Sequence, residues 1–304
     1  MDLLQTRVTG VDFRNPILLA SGIWGESGIS LTRAYEGGAG GVVTKSIGSE
    51  PRSGYPNPTI EKNGTWGLLN AMGLPNPGIE SYGEEVRYAL SRGVRVVGSV
   101  FGGTAEEFAR LSQAMEALGV AAIELNLSCP HAKGYGSEIG SDPEALAEVV
   151  RAVKSAVRLP VWAKLTPNTA DPASLGRAAE RAGADAISAI NTLRGMAIDP
   201  VTMRPILSHV SGGLSGPAIK PIGLAFVWQV FEAVHIPIIG IGGISRPEDV
   251  FEYLLAGASL VEVGTAVMEG GGPLFGQLAR GVSDILVTHG LKSVSESVGA
   301  AHRR

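Results

Sequence analysis

Eight short apolar runs that alternate with helical patterns constrain the fold of this chain more than any other feature. The runs are rich in valine and isoleucine, which is typical of buried parallel strands. Eight strand–helix units over 304 residues predict an α/β fold, a (β/α)8 TIM barrel, as a single domain over residues 1–304. The predicted strands are Ile17–Ala20, Gly41–Lys45, Arg95–Val100, Ala121–Leu125, Val161–Leu165, Asp185–Ile190, Ile236–Ile241 and Leu260–Val263.

Helix-end signals fall between these strands. Thr104 with Glu107, Asp142 before Pro143, and Ser245 with Glu248 predict three helix starts. Such junctions occur in many α/β proteins, so the count of eight strands carries more weight than their spacing. Four glycines fit helix ends and stand seven residues before a strand end: Gly38, Gly119, Gly183 and Gly257.

Two connections are too long to be simple linkers. Residues 47–79 follow the second predicted strand, and residues 191–217 follow the sixth. Long loops in compact domains are usually functional or disordered. Because both leave the carboxyl ends of strands, where barrel enzymes carry their chemistry, we expect them to cover that rim.

Charge and cysteine content exclude several function classes. The net charge of −4 provides no basic field for nucleic acid or an anionic membrane. No apolar run is long enough to span a bilayer, and the N-terminus has no signal-like stretch. One cysteine excludes an intrachain disulfide and a four-cysteine cluster, and the scattered histidines predict no metal site. A cytoplasmic protein is expected.

Glycines and lysines at the strand ends predict an anion site. Gly242-Gly243 and Gly264-Thr265 follow the seventh and eighth strands, where barrels commonly bind phosphate through backbone N–H groups. Lys45 and Lys164 end the second and fifth strands, where a buried lysine is costly unless it faces an anion. The alternatives are an ordinary turn at the glycines and ion pairs to neighbouring carboxylates at the lysines.

Amides and the single thiol provide candidate chemistry at the same rim. Asn70, Asn126 and Asn191 each offer a donor and an acceptor, which suits a planar ring with amide-like edges. Cys129 follows a barrel strand and could act as a base or nucleophile, although a lone cysteine is commonly a small core residue. His131 is not predicted to be its partner, because alternate residues of an extended segment point apart. No Gly-x-Gly-x-x-Gly follows a strand, so no Rossmann dinucleotide site is predicted.

Taken together, these stretches resemble class 1 dihydroorotate dehydrogenases, and within them the B-type catalytic subunit. His131 departs from the resemblance, since the family often has asparagine there. The matching segments run in family order over nearly the whole chain: residues 20–22, 44–46, 70–76, 126–130, 164–168, 191–199, 212–216, 242–244 and 264–265.

The resemblance implies an FMN enzyme that oxidises dihydroorotate to orotate. Cys129 would remove the C5 proton, FMN would accept the C6 hydride, and Lys164 would stabilise the arriving negative charge. The residues implied to hold FMN are Ser21, Lys45, Ser46, Ser99, Asn126, Lys164, Ile190, Gly216, Gly242, Gly243, Gly264 and Thr265. Those implied to contact dihydroorotate are Lys45, Asn70, Ala71, Met72, Gly73, Leu74, Asn126, Asn191 and Thr192.

The B-type resemblance also implies partners. Electrons would pass to NAD+ through a second subunit that carries FAD and a [2Fe–2S] cluster, around a homodimeric core that forms a heterotetramer with it. The alternatives are a fumarate-linked A-type enzyme, another FMN barrel that acts on a dihydropyrimidine, a flavin-free phosphate-binding isomerase or lyase, and a non-catalytic barrel.

Overall fold

Eight parallel strands close into a barrel in the computed structural model of the chain, which describes residues 3–64, 66–128 and 139–303. The strands are β1 (Thr6–Val8), β2 (Val11–Phe13), β3 (Ile17–Leu19), β4 (Gly41–Val43), β5 (Ile60–Asn63), β6 (Gly67–Asn70), β7 (Val96–Val100), β8 (Ala122–Asn126), β9 (Val161–Lys164), β10 (Ala186–Ala189), β11 (Leu193–Met196), β12 (Ile198–Asp199), β13 (Arg204–Pro205), β14 (Ser211–Ser215), β15 (Ile238–Ile241) and β16 (Ala258–Val263). The barrel runs β3–β4–β7–β8–β9–β10–β15–β16 and returns to β3. The predicted (β/α)8 architecture is confirmed, with each barrel strand within two residues of its predicted bounds.

Helices follow the barrel strands and pack around the outside of the sheet. They are α1 (Gly28–Glu36), α2 (Ile79–Ser91), α3 (Ala105–Leu118), α4 (Pro143–Ala156), α5 (Pro172–Arg181), α6 (Lys220–Phe231), α7 (Pro247–Leu255), α8 (Val267–Gly270) and α9 (Pro273–Thr288), with 3₁₀ turns at Ile139–Ser141, Pro217–Ile219, Val294–Ser297 and Ala300–His302. Within the described ranges, no helix has both the length and the apolarity that a membrane crossing requires.

The predicted helix ends hold at all but one position. Thr104 accepts the Glu107 N–H at the start of α3, and Asp142 accepts the Glu144 N–H at the start of α4. All four predicted glycines adopt positive φ, from 92° at Gly119 to 117° at Gly257. The capping box predicted from Ser245 and Glu248 is wrong, as the start of α7 shows.

Helix α7 begins one residue later than it would if Ser245 were its N-cap. Pro247 occupies the first helical position, so Arg246 becomes the N-cap residue. The acid that reaches back is therefore Asp249 instead of Glu248. Its carboxylate accepts the backbone N–H groups of Ser245 and Arg246, both at 2.9 Å.

The barrel interior has an apolar lower layer and a polar upper layer. Trp162 lies in the lower layer, and the hairpin of β1 and β2 packs beneath it, with Trp162 Nε1 donating to Thr9 Oγ1 at 3.1 Å. Side chains two residues further along the same strands face the same interior. In that way Ala122, Trp162, Ala186 and Leu260 are followed by the buried polar residues Glu124, Lys164, Ser188 and Glu262.

The two long connections meet above the carboxyl ends of the strands. They form a four-stranded antiparallel sheet in the order β11–β14–β6–β5, in which Asn70 pairs with Gly213 and Leu69 with Leu214. A second hairpin, β12 with β13, extends from the later connection. The sequence predicted that these segments cover the rim but did not predict that they pair with each other.

Candidate active site

A cavity of about 1230 Å³ opens at the carboxyl ends of the barrel strands, beneath the sheet of the two long connections. All but one of the predicted binding residues outside the Cys129 loop line its wall. Those predicted to hold FMN are Ser21, Lys45, Ser46, Asn126, Lys164, Ile190, Gly216, Gly242, Gly243, Gly264 and Thr265. Those predicted to contact dihydroorotate are Lys45, Asn70, Ala71, Met72, Gly73, Leu74, Asn126, Asn191 and Thr192.

A chain of hydroxyls and amides links the two groups of predicted residues. Ser46 Oγ lies 3.2 Å from Ser21 Oγ and 2.9 Å from Ser99 Oγ. Asn126 Nδ2 donates to Ser46 Oγ at 3.0 Å, and Asn191 Nδ2 donates to Asn126 Oδ1 at 3.1 Å. Ser99 is fully buried behind Ser46 and does not line the cavity. Its hydroxyl reaches Ser46 and, at 3.5 Å, Glu124 Oε1, so it would act on a ligand through other side chains.

Both rim lysines form ion pairs with carboxylates. The sequence analysis gave such pairs as the alternative to an anionic ligand. Lys45 Nζ lies 2.7 Å from the Glu26 carboxylate, which is 69% exposed at the cavity wall. Lys164 Nζ lies 3.3 Å from Glu124 and 3.2 Å from Glu262, whose carboxyls are fully buried. Both lysines also line the cavity, so the ion pairs do not remove them from reach of a ligand.

The interior charges shift one another's pKa values. Burial lowers the pKa of Lys164, but the carboxyls of Glu124 and Glu262 outweigh burial and raise it, so the side chain stays an ammonium. Burial, followed by the charge of Glu124, raises the pKa of Glu262 well above its usual range.

The turn after β15 requires glycine and lines the cavity. Gly242 and Gly243 have φ of 125° and 70°, which side chains rarely adopt. A Cβ at Gly243 would lie 2.7 Å from Lys220 Cβ and 2.9 Å from Gly216 O. A glycine turn at this place in a barrel, lining a cavity of this volume, is compatible with the phosphate of a nucleotide cofactor.

The N–H groups just before helix α7, which follows the glycine turn, already have a carboxylate partner. Ser245 and Arg246 both donate to the Asp249 carboxylate, which also lies 2.7 Å from Lys220 Nζ. All four residues of the predicted anion site line the cavity: Gly242, Gly243, Gly264 and Thr265.

Several wall residues were not predicted from the sequence. The rings of Tyr55 and His209 stack with centroids 4.1 Å apart and join the two long connections at the wall. The sequence analysis also did not predict Glu26 and Glu262, which line the wall, or Glu124, which lies behind it. A glutamate inside an apolar strand is an available signal for the last two, whereas no signal pairs Tyr55 with His209.

The predicted base, Cys129, and the unusual His131 lie outside the described residues. Ser128, which precedes Cys129, lines the cavity, as does Ser141 on the far side of residues 129–138. The Ser128 hydroxyl is buried and has no hydrogen-bond partner within the described chain. Both flanks of that segment therefore stand at the site.

Known proteins resemble this chain over most of its length. The family model described as dihydroorotate dehydrogenase matches residues 3–286. Three similar proteins are each named dihydroorotate dehydrogenase B (NAD(+)), catalytic subunit. The protein of Pyrococcus abyssi is 52% identical over 98% of this chain and 99% of its own, that of Methanocaldococcus jannaschii is 50% identical over 99% and 98%, and that of Thermoplasma volcanium is 46% identical over the full length of both. The chain belongs to the dihydroorotate dehydrogenase family.

Proposed function

We propose that this chain is the catalytic subunit of an NAD+-linked dihydroorotate dehydrogenase, which oxidises dihydroorotate to orotate in de novo pyrimidine biosynthesis. The observation that carries the proposal is the hydrogen-bonded chain from Ser46 through Asn126 to Asn191. It joins the side chains predicted for a flavin to those predicted for a planar pyrimidine, in one cavity. The full-length similarity to B-type catalytic subunits supports the same assignment.

FMN is the cofactor that the cavity suits. When bound, it supplies a hydride acceptor. Gly243, Gly264 and Thr265 would hold its phosphate through backbone N–H groups, and Lys164 would face the ring with a positive charge. Ser21 and Ser46 offer hydroxyls on the same wall.

The substrate would be oriented by amides and one cation. Asn70, Asn126 and Asn191 present donors and acceptors that match the ring edges of dihydroorotate. Lys45 provides a cation for its carboxylate. The pairing of β6 with β14 holds Asn70 in place, since its Nδ2 donates to Gly213 O at 3.2 Å.

Cys129 is the proposed base for the C5 proton of dihydroorotate. The proposal rests on the family resemblance and on the position of Ser128 and Ser141 at the cavity wall. A thiolate is required for this step, and a neighbouring cation such as Lys45 would favour it. Deprotonation at C5 would accompany loss of the C6 hydride, so that a C5–C6 double bond forms.

We further propose that electrons leave to NAD+ through a separate subunit that carries FAD and a [2Fe–2S] cluster. The names of the similar proteins, as catalytic subunits of an NAD+-linked enzyme, support a partner of this kind. A homodimeric core with two partner subunits, a heterotetramer, is the assembly that the family resemblance implies.

Spectroscopy of the purified chain tests the proposal. We expect the yellow spectrum of bound flavin, bleaching on anaerobic addition of dihydroorotate, and NAD+ reduction only after reconstitution with the partner subunit. Efficient fumarate reduction by the isolated chain would instead establish an A-type enzyme. A colourless protein that binds no FMN would refute the flavin chemistry altogether.

A further inference from the structure

A buried ion cluster lies at the floor of the cavity. It is formed by Glu124, Lys164 and Glu262 and is called the interior cluster below. Glu124 on β8 and Glu262 on β16 stand four strands apart in a closed barrel of eight, so they approach from opposite sides. They meet at Lys164 Nζ of β9, at 3.3 Å and 3.2 Å. Such interior layers are usually filled by Val, Ile and Leu. Burial of charged side chains there carries a desolvation penalty, which suggests that the cluster has a function.

The interior cluster is short of hydrogen bonds. Glu124 Oε2 and Glu262 Oε1 are buried and have no partner within the described residues. Lys164 has three N–H donors, of which two point to the carboxyls. With all three groups ionised, the cluster would hold a net charge of −1 at the buried floor of the cavity, which is unfavourable.

One bound proton removes that excess negative charge. The groups around Glu262 favour its carboxyl as the one that is protonated. Burial and the charge of Glu124 both raise the pKa of Glu262, while Lys164 opposes them. The neighbouring strands β3 and β15 carry no titratable side chain. Helix α7, which packs on the outer face of β16, carries Glu248, Asp249, Glu252 and Tyr253.

We propose that Glu262 is a positioning residue that holds a proton beside Lys164, so that Glu124 alone balances the lysine and the cavity floor is neutral toward the flavin. The proposal rests on the FMN function proposed above. Glu262 and Lys164 line the cavity, whereas Glu124 lies behind them. Ionisation of Glu262 would make the floor negative and oppose the arrival of electrons at the cofactor.

Infrared spectroscopy of the protein as purified, repeated after flavin removal, tests the proton directly. At neutral pH we expect the carbonyl stretch of a buried carboxylic acid, shifted in D₂O and lost in Glu262→Gln. It should also disappear in Glu124→Gln, because the remaining glutamate then ionises against Lys164. The partly buried Glu107, which accepts the Gly103 N–H at 2.7 Å, provides the control variant Glu107→Gln, which should keep the band. Absence of the band from the wild type, or its persistence in Glu262→Gln, would overturn the proposal.

The midpoint potential of the bound flavin provides a second readout. Either single variant leaves the cluster neutral, so each should keep the wild-type potential at neutral pH. The double variant Glu124→Gln/Glu262→Gln leaves Lys164 unbalanced and should raise the potential. A rise in Glu262→Gln alone would show that Glu262 had been ionised and would refute the proposal. Because the infrared band does not need flavin, a protein without FMN would refute the proposed function while the proton at Glu262 is still tested.

Discussion

The ammonium of Lys45 lies 2.7 Å from the carboxylate of Glu26 at the wall of the cavity. The lysine is nearly buried, with 11% of its side chain exposed, while the glutamate is 69% exposed. The cation proposed to bind the substrate carboxylate is therefore already held by an internal carboxylate that water can reach. Substrate and Glu26 would compete for the same ammonium.

Removal of this competitor should tighten substrate-site binding. In Glu26→Gln, we expect the dissociation constant of orotate to fall by up to about fivefold, since an ion pair with an exposed carboxylate contributes about 0.2–1 kcal/mol. Titration of orotate against the flavin absorbance measures it. Glu84→Gln removes an exposed carboxylate that pairs with Arg87 at 2.6 Å and should have no effect. Weaker orotate binding in Glu26→Gln would mean that Glu26 supports Lys45 instead of competing for it.

Replacement of the proposed base should separate flavin binding from flavin reduction. Cys129→Ala should retain FMN but slow its anaerobic reduction by dihydroorotate by about 10²–10⁴-fold, the usual contribution of a general base. Rapid mixing measures the rate. In the wild type, the same rate should rise with pH until the thiol is ionised, and this dependence should vanish in the variant. Near-normal reduction in Cys129→Ala would remove Cys129 from its role.

The barrel could be predicted from the sequence because each of its units is local. An apolar run, a capping residue and a glycine at the helix end lie within a few tens of residues, and Thr104 and Gly119 mark both ends of α3. The pairing of the two long connections above the cavity could not be predicted in this way. Its central contact joins Asn70 to Gly213, 143 residues apart, through a glycine-rich strand without alternating polarity.

The lining of the candidate site was predictable where a single polar residue at a strand end marks it. Lys45 and Asn126 are of this kind, and both line the cavity. Glu262 is different, because its significance depends on Glu124 from the opposite side of the barrel. Strand order and register decide which side chains meet across a closed barrel. No local sequence pattern contains that information.

The glycine turn after β15 allows a steric overlap within the protein to be separated from backbone strain alone. Gly243→Ala should weaken FMN binding strongly, because the new Cβ would lie 2.7 Å from Lys220 Cβ and displace the turn that lines the cavity. Gly93 has nearly the same φ, 74° against 70°, and nothing within 4 Å of an added Cβ. Gly93→Ala should therefore lose about 1 kcal/mol of stability but keep full FMN affinity. Equal FMN affinity of the two variants, measured by flavin fluorescence, would exclude this turn from the FMN site.

Asp249 should stabilise the fold in a pH-dependent manner. Burial raises the pKa of its carboxyl, but hydrogen bonds from Lys220, Ser245 and Arg246 outweigh burial and lower it. A depressed pKa contributes stability above the unfolded value of about 3.9, and this contribution is lost as the pH falls through the folded pKa. Asp249→Asn should therefore lower the free energy of unfolding by about 2–3 kcal/mol at neutral pH, with the gap narrowing below about pH 4. Urea unfolding across this pH range measures the difference in free energy of unfolding between the wild type and the variant. The control Asp12→Asn removes a carboxylate from an exposed pair, 3.7 Å from Arg7, and should change that free energy very little. A gap for Asp249→Asn that persists unchanged into acid would show that the carboxylate charge is not its source.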